Sequence, residues 1–240
     1  MGHPARTRSG YQRGFTMLIP SIDLMGGKVV QLVQGEKKAL EFDDLQYWIE
    51  RFMAYPMVQL IDLDAAMGKG ENTALIHHIC QHLPAQVGGG IRSVEAASKM
   101  LQAGAKKIII GSALLKNGAV DLEMAQSLAH YAAPARLLFA VDSRGGHVSI
   151  KGWKESTALT PEEMMRQTAP YCSGYLYTHI DTEGTMTGFP METIPSLKAA
   201  TERKLIVAGG IRSVEEVEKL DAEGVDAVVG MAVYTGTMKA

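Results

Sequence analysis

The second half of this 240-residue chain repeats the first half at a nearly constant offset. Asp23-Leu-Met-Gly-Gly27 recurs 119 positions later as Asp142-Ser-Arg-Gly-Gly146, and Ile61-Asp62 recurs at the same offset as Ile180-Asp181. Val87-Gly-Gly-Gly-Ile-Arg-Ser-Val-Glu95 recurs one position further on as Val207-Ala-Gly-Gly-Ile-Arg-Ser-Val-Glu215, and Gly111 matches Gly230. The sequence therefore predicts two copies of one structural unit, each with an acidic residue and a glycine-rich loop.

Composition is that of an ordinary globular protein, with 46% hydrophobic and 21% charged residues. A net charge of −2 gives no electrostatic attraction to nucleic acid or to an anionic membrane. No apolar run approaches the roughly 20 residues that a membrane span requires. Cys80 and Cys172 lie far apart without a metal-binding spacing, which favours buried thiols in a reducing compartment. We therefore expect a cytoplasmic protein with no nucleic-acid or membrane partner.

The N-terminal segment differs from the rest of the chain. Residues 1–16 include Arg6, Arg8 and Arg13 but no acidic residue and no apolar core of a secretory signal. We predict that residues 1–16 are a disordered extension or an expression remnant. Residues 17–240 contain no linker-like stretch, so we expect them to form a single domain.

Short apolar runs alternate with amphipathic stretches eight times along the chain. Apolarity throughout a run is typical of strands covered on both faces, as in a parallel sheet. Helices are predicted at Glu95–Ala103 and Glu162–Thr168, with Ser93, Ser213 and Thr160 as N-caps. The predicted strands are Leu18–Leu24, Val58–Leu63, Ala85–Val87, Lys107–Ile110, Leu137–Val141, Tyr175–Ile180, Leu205–Val207 and Ala227–Val229.

This alternation, together with the twofold repeat, predicts a closed (β/α)8 TIM barrel made of two half-barrels. An open doubly wound sheet is disfavoured, because two four-strand halves close on each other without a switch point. In such barrels the chemistry occurs at the C-terminal ends of the strands. The repeated polar residues of this chain all fall at the C-terminal ends of predicted strands.

Asp23 and Asp142 end the first and fifth predicted strands, and so face each other across the barrel mouth. Two carboxyl groups in one pocket suit general acid–base catalysis, since their surroundings can hold one protonated and the other ionised. The alternative is that each aspartate only accepts hydrogen bonds from the Gly-Gly turn that follows it.

Glycine-rich loops follow the third, fourth, seventh and eighth strands. Glycine allows backbone N–H groups to approach an anion closely, so each loop pair is a candidate phosphate site. Two such sites predict a small-molecule substrate with a phosphate at each end; the alternative is that the glycines only relieve crowding. Arg92 and Arg212 either pair with the anions or cover helix starts. The predicted phosphate-binding residues are Gly89, Gly90, Gly111, Ser112, Gly209, Gly210, Gly230 and Met231.

Four segments together resemble a known family. They are Ile19-Pro-Ser-Ile-Asp-Leu-Met-Gly-Gly-Lys28, Val87-Gly-Gly-Gly-Ile-Arg-Ser93, Phe139-Ala-Val-Asp142 and Thr178-His-Ile-Asp-Thr-Glu-Gly-Thr185. The chain is similar from about Met17 to Tyr234 to the histidine-biosynthesis isomerases that act on ProFAR, a bis-phosphorylated phosphoribosyl-formimino carboxamide. The resemblance implies a metal-free Amadori rearrangement of an aldose to a ketose, with no cofactor.

The resemblance also implies roles for individual residues. Asp23 matches the general base that moves the C2 proton, and Asp142 matches the general acid that helps to open the ribose ring. Thr178 matches a threonine that orients the substrate, and Trp153 matches a tryptophan that covers the imidazole.

The residues themselves are consistent with these roles. Proton transfer between adjacent carbons needs an acid and a base but no redox cofactor, and the chain lacks GxGxxG and Walker patterns. Trp153 lies in the polar stretch 147–156, where a large ring suits a ligand lid, and packing on the surface is the alternative. Thr178 has the alternative of a buried structural hydroxyl. Asp62, Asp64 and Asp181 are interpreted as polar support at strand ends rather than a metal site, with Asp181 nearer the substrate.

The chain departs from the family in two ways. The ten residues after Gly230 are too few for the usual closing helix, so we expect a partly uncovered eighth unit. The N-terminal extension has no role in the family. We expect a monomer, with self-association left open.

Three alternative functions are left open, and the main one is that of the sister cyclase. It shares the repeat, but it typically has a cysteine beside the first aspartate and a lysine on the first hairpin. This chain has Ile22, Gln31 and Gln34 there. The second rival is a bifunctional isomerase that also accepts phosphoribosyl-anthranilate, and the third is a non-catalytic phosphosugar-binding barrel.

Overall fold

Eight parallel strands form a closed barrel in the computed structural model, which describes residues 18–238. Each strand pairs with the next, and β8 pairs in parallel with β1, which closes the barrel. The predicted (β/α)8 barrel is thus confirmed. The predicted N-terminal extension lies outside the described residues. The barrel strands are β1 Leu18–Met25, β2 Val58–Asp62, β3 Ala85–Gly88, β4 Lys107–Ile110, β5 Leu137–Arg144, β6 Gly174–His179, β7 Lys204–Ala208 and β8 Asp226–Val229.

Helices connect the strands around the outside of the barrel. Within residues 18–238, five single turns of 3-10 helix supplement them, at Ser112–Leu114, Pro134–Arg136, Ala169–Tyr171, Ile180–Thr182 and Met191–Thr193. The α-helices are α1 Leu45–Phe52, α2 Leu63–Met67, α3 Thr73–His82, α4 Val94–Gln102, α5 Leu122–Ala132, α6 Pro161–Thr168, α7 Ile194–Ala200, α8 Val214–Ala222 and α9 Met231–Tyr234.

The predicted helix caps are confirmed. The Ser93 and Ser213 hydroxyls accept hydrogen bonds from backbone N–H groups in the first turns of α4 and α8. Thr160 forms a capping box with Glu163 at the start of α6, and Pro161 occupies the first helical position. These side chains satisfy N–H groups that the helix itself leaves without acceptors.

The strands are buried on both faces, as their apolar sequences predict. The larger core lies between the barrel and its helices, where Ile22, Leu60 and Phe139 are fully buried. A second cluster fills the barrel interior and includes Ile19, Ile109, Leu138, Leu176, Ile206, Ala208 and Val228. This interior packing closes the barrel below the C-terminal ends of the strands.

Hairpins extend two of the barrel strands beyond their C-terminal ends. Strands Lys28–Val33 and Lys37–Phe42 follow β1, and strands His147–Ile150 and Glu155–Ser156 follow β5. The polar stretch 147–156 is thus partly β-structure, because Val148 alternates with polar neighbours and packs into the core. A small third hairpin pairs Leu115–Lys116 with Ala119–Val120.

The C-terminal unit is short but packed. All four residues of α9 are buried, and the Tyr234 ring lies among Phe42, Trp48 and Phe52. Its hydroxyl donates to the Ser21 carbonyl oxygen at 2.9 Å. α9 thus anchors the end of the described chain to β1. Among residues 18–238, no helix is long and apolar enough to cross a membrane.

Candidate active site

A cavity of about 760 Å³ opens at the C-terminal ends of the barrel strands. Its wall includes every predicted site residue except Asp181: Asp23, Gly89, Gly90, Arg92, Gly111, Ser112, Asp142, Trp153, Thr178, Gly209, Gly210, Gly230 and Met231. The fold thus gathers positions from both sequence repeats around one space.

Asp23 lies in β1, where the strand continues into the first hairpin. The Ser21 hydroxyl, two residues earlier on the same face of the strand, donates to Asp23 Oδ1 at 2.9 Å. Burial raises the pKa of Asp23 to about 6, partly offset by this hydrogen bond. Asp23 is therefore mostly ionised at neutral pH, but it is a stronger base than an ordinary aspartate.

Asp142 lies in β5, across the cavity from Asp23. Trp153 Nε1 donates to Asp142 Oδ2 at 2.9 Å. Burial raises the pKa of Asp142 above its ordinary value, whereas hydrogen bonds from Trp153 and Thr178 lower it. Thr178 is only 6% exposed. It lies beside Asp142, the predicted acid, in the register of β5 and β6.

A third carboxyl group, that of Glu183, also lines the cavity. Burial raises the pKa of Glu183 to about 8, and the negative charges of Asp23 and Asp142 add to the rise. Glu183 follows the 3-10 turn after β6. Sequence reasoning gave it no role, although Asp64 stands at the equivalent position 119 residues earlier in the first repeat.

Trp153 lies over the cavity as part of an interlocked set of loops. A Cβ atom on Gly35 would lie 2.6 Å from Trp153 Cε3, so the indole ring packs directly on the first hairpin. The Trp153 backbone has a φ of +68°, which is unusual for a non-glycine residue, and Arg144 Nη1 donates to its carbonyl oxygen at 3.1 Å. The hydrogen bonds from Arg144 and to Asp142 thus fix this ring at the cavity.

The first hairpin also contacts the loop after β6. The Gln34 backbone N–H donates to the Glu183 carbonyl oxygen at 3.1 Å, and Gln34 Nε2 donates to the Asp181 carbonyl oxygen at 2.9 Å. A Cβ on Gly184 would collide with the backbone of Leu32. Three loops, those after β1, β5 and β6, therefore meet over the catalytic candidates.

The glycines after β3 and β7 are required by close backbone approach. Gly89 has a φ of +96°, and a Cβ there would collide with the backbone of Asp62. Gly209 has a φ of +113°, and a Cβ would collide with the backbone of His179. Relief of crowding thus accounts for these glycines in part, while the same residues also line the cavity.

The loops after β4 and β8 begin short helical turns. Gly111 precedes the 3-10 turn Ser112–Leu114, and Gly230 precedes α9. A Cβ atom on Gly111 would make only an ordinary van der Waals contact. A Cβ atom on Gly230 would collide with the side-chain amide of Gln31. Short turns of this kind present free backbone N–H groups, as a phosphate site requires.

Comparison with known proteins gives the family. The model of a family described as histidine biosynthesis protein matches residues 17–239, which is nearly the whole chain. The chain belongs to the histidine biosynthesis protein family.

Curated relatives from distant organisms cover almost all of the chain. A Methanothermobacter thermautotrophicus protein is 34% identical over 92% of this chain and 94% of its own length. A Thermus thermophilus protein is 34% identical over 92% and 96%, and a Methanosarcina barkeri protein is 37% identical over 91% and 93%. Each is named 1-(5-phosphoribosyl)-5-((5-phosphoribosylamino)methylideneamino)imidazole-4-carboxamide isomerase.

The two repeated arginines of this histidine biosynthesis family member differ in their surroundings. Arg92 lines the cavity and donates to the Ala65 and Ala66 carbonyl oxygens in α2, at 3.2 and 2.6 Å. Arg212 lies outside the cavity wall and pairs with Glu216 at 3.2 Å. Arg92 therefore braces the loop after β2 beside the cavity, and Arg212 covers the start of α8.

The remaining strand-end aspartates have structural partners. Asp62 caps α2, and Asp64 Oδ2 accepts a hydrogen bond from the Gly26 N–H at 2.6 Å. Asp181 Oδ2 accepts one from the Gly145 N–H at 2.9 Å, so it supports the turn that follows β5. Asp64 and Asp181 thus hold equivalent turns in the two repeats. Within residues 18–238, no three His, Cys, Asp or Glu side chains are arranged to hold a metal ion.

Proposed function

We propose that this chain is an intramolecular isomerase that converts ProFAR to its ketose, PRFAR, in histidine biosynthesis. The curated relatives carry a name that describes such an isomerase, and the substrate in that name has two phosphoribosyl groups on an imidazole carboxamide. Substrate and product are isomers, so hydrogen moves within one molecule and the reaction needs no external oxidant or reductant.

One observation carries the proposal: Asp23 and Asp142 line a single cavity together with two glycine-rich loop pairs. The loop pairs after β3 and β4 and after β7 and β8 would each hold one phosphate through backbone N–H groups. A substrate with a phosphate at each end would then span the barrel mouth. Its reacting sugar would lie between the two carboxyl groups.

The reaction begins with opening of the ribose ring. A general acid donates a proton to the ring oxygen as its bond to C1 breaks, and the substituent nitrogen supplies the electron pair that forms a C1=N bond. Asp23 then removes the proton from C2, and the resulting enolamine tautomerises to the ketose. A base of pKa about 6 combines ionisation at neutral pH with useful basicity.

Asp142 is the proposed acid, and Glu183 is the second candidate for that role. Hydrogen bonds from Trp153 and Thr178 stabilise the ionised form of Asp142. Glu183, with a pKa of about 8, keeps its proton at neutral pH without such partners. The two candidates differ in position, because Asp142 belongs to β5 and Glu183 to the loop after β6.

The other predicted residues would bind and orient the substrate. Trp153 would cover the imidazole with its ring, and Thr178 would hold the substrate beside Asp142. Arg92 lines the cavity and would contribute positive charge near the phosphate loops. A substrate contact of Asp181 stays a prediction, and we propose a monomer as the working unit.

The test is turnover of ProFAR by the purified protein with a chelator and without cyclase, followed by the absorbance change of ring opening. Asp23→Asn, Asp142→Asn and Glu183→Gln each replace a carboxyl group by an amide of similar shape. Asp44→Asn is the matched control, because Asp44 only caps α1 outside the cavity wall and asparagine is an equally good cap.

We expect turnover by the unmodified protein and by Asp44→Asn, and loss of at least about 100-fold in kcat for Asp23→Asn. A similar loss of kcat in Asp142→Asn assigns the role of the acid to Asp142. A loss that occurs in Glu183→Gln but not in Asp142→Asn assigns that role to Glu183. A folded protein without turnover refutes the isomerase, and ammonia-dependent cyclisation of PRFAR would be tested next.

A further inference from the structure

Ser149 is a cavity residue whose hydroxyl has no hydrogen-bond partner among the described residues. Its side chain is 5% exposed, so bulk water reaches it poorly. A buried hydroxyl without a partner destabilises a fold, and such groups are rare in native structures. The hydroxyl therefore suggests a function in the bound state.

The hairpin after β5 fixes the direction of this hydroxyl. Val148, one residue earlier, is part of the hydrophobic core, so Ser149 points to the opposite face of the strand, towards the cavity. The Val148 N–H donates to the Leu159 carbonyl oxygen, and the Thr157 N–H donates to the Val148 carbonyl oxygen, both at 2.9 Å. The strand that carries Ser149 is thus tied down before any ligand binds.

A neighbouring hydroxyl shows the contrast. Thr157 Oγ1 donates to the Val148 carbonyl oxygen at 2.9 Å and accepts from the Leu159 N–H at 3.2 Å. The segment therefore satisfies the hydroxyl of Thr157, just after the outer strand of the hairpin, and leaves that of Ser149 available to the cavity.

We infer that Ser149 binds the substrate by a hydrogen bond to a neutral donor–acceptor group, either the carboxamide or a ribose hydroxyl. This inference rests on the proposed function. A phosphate is a less suitable ligand here, because the glycine-rich loops after β3, β4, β7 and β8 supply the backbone N–H groups for anions. Ser149 instead shares its hairpin with Trp153, the proposed cover of the imidazole.

The test compares Ser149→Ala with Ser156→Ala. Ser156 is the matched control, because it is registered directly opposite Ser149 in the hairpin but is exposed and outside the cavity wall. We expect Ser149→Ala to raise the KM for ProFAR about three- to tenfold, with a smaller change in kcat. Its Tm should equal or exceed that of the unmodified protein, since an unpaired hydroxyl is removed. Ser156→Ala should change neither quantity.

Calorimetric titration with two fragments separates the two candidate contacts. Weaker binding of an imidazole-carboxamide ribonucleotide to Ser149→Ala, with unchanged binding of ribose phosphate, assigns the carboxamide. Weaker binding of both fragments assigns a ribose hydroxyl.

These titrations do not depend on turnover. If the unmodified protein binds the ribonucleotide but does not convert ProFAR, the proposed isomerase fails while a Ser149 effect on binding still supports the contact. Equal KM and equal fragment binding in the two variants overturn the inference, as does a lowered Tm with unchanged binding, which indicates a structural role. If the unmodified protein binds neither fragment, the inference is also overturned.

Discussion

Replacing Gly35 by alanine is expected to displace Trp153 from Asp142. Gly35 has a φ of +73°, and its new Cβ would lie 2.6 and 2.9 Å from two atoms of the indole ring. A left-handed conformation costs alanine about 1–2 kcal/mol, partly offset by about 0.4–1 kcal/mol from the stiffer unfolded chain. The net destabilisation of about 1 kcal/mol corresponds to a fall in Tm of roughly 2–4 °C for a chain of this size.

Displacement of the ring adds a separate loss of activity. The indole must move by several tenths of an ångström at least, which lengthens the 2.9 Å hydrogen bond from Nε1 to Asp142 Oδ2. Hydrogen bonds to charged groups contribute about 1.5–3 kcal/mol. Even the lower value predicts a fall of about tenfold in kcat/KM for ProFAR, if the bond persists in the transition state.

Gly118→Ala is the matched control. Gly118 has a φ of +79°, nothing within 4 Å of its would-be Cβ, and a place in the small hairpin outside the cavity wall. Both variants should lose similar Tm in thermal melts, while only Gly35→Ala should lose kcat/KM and change its tryptophan fluorescence. Equal kcat/KM in the two folded variants would refute the contribution of the Trp153 lid.

Four further predictions concern ionisation and packing. In a pH series, kcat/KM should rise through about pH 6 as Asp23 ionises and, if Glu183 is the acid, fall through about pH 8 as Glu183 loses its proton. Ser21→Ala should move the acid limb to higher pH, because it removes a hydrogen bond that lowers the Asp23 pKa; an unmoved limb contradicts the base assignment. Asp62→Ala should lower the free energy of unfolding by about 2–4 kcal/mol in urea, since its buried carboxylate accepts from two backbone N–H groups and one side-chain amide; a change below about 1 kcal/mol contradicts this. Tyr234→Phe should cost about 1 kcal/mol in the same assay by leaving a buried carbonyl oxygen without its donor, and an unchanged midpoint would show that this bond contributes nothing.

The barrel was accessible from the sequence because its strands are short, apolar and regularly spaced. Lys107–Ile110 was predicted with its observed bounds, and the other strands differ by one to three residues at their ends. The largest error is in β5, where the polar residues Asp142, Ser143 and Arg144 continue the strand, since an apolar run marks only the apolar part of a strand. The caps at Ser93 and Thr160 were equally local signals.

The internal repeat marked one part of the candidate site, while Trp153 and Thr178 were predicted from the family resemblance. Asp23 and Asp142 stand at equivalent positions, so the repeat marked them before any contact was known. Ser149 had no such mark, because Val30 stands at its equivalent position, and Glu183 was given no role although Asp64 stands at its own. The significance of both depends on their place in a shared cavity, and that of Ser149 also on the absence of a hydrogen-bond partner within residues 18–238. These features follow from how the loops pack and not from spacing along the chain.

The contact between the first hairpin and the loop after β6 has a consequence for the modularity of this barrel. Gln34 and Asp181 are separated by 147 positions, yet they share a hydrogen bond, and Gly184 leaves room for the Leu32 backbone. Neither loop is therefore an independent part that a homologous barrel could receive alone. Exchange of catalytic loops between such barrels has to transfer both segments as a pair, or a grafted hairpin arrives without the surface that shapes it.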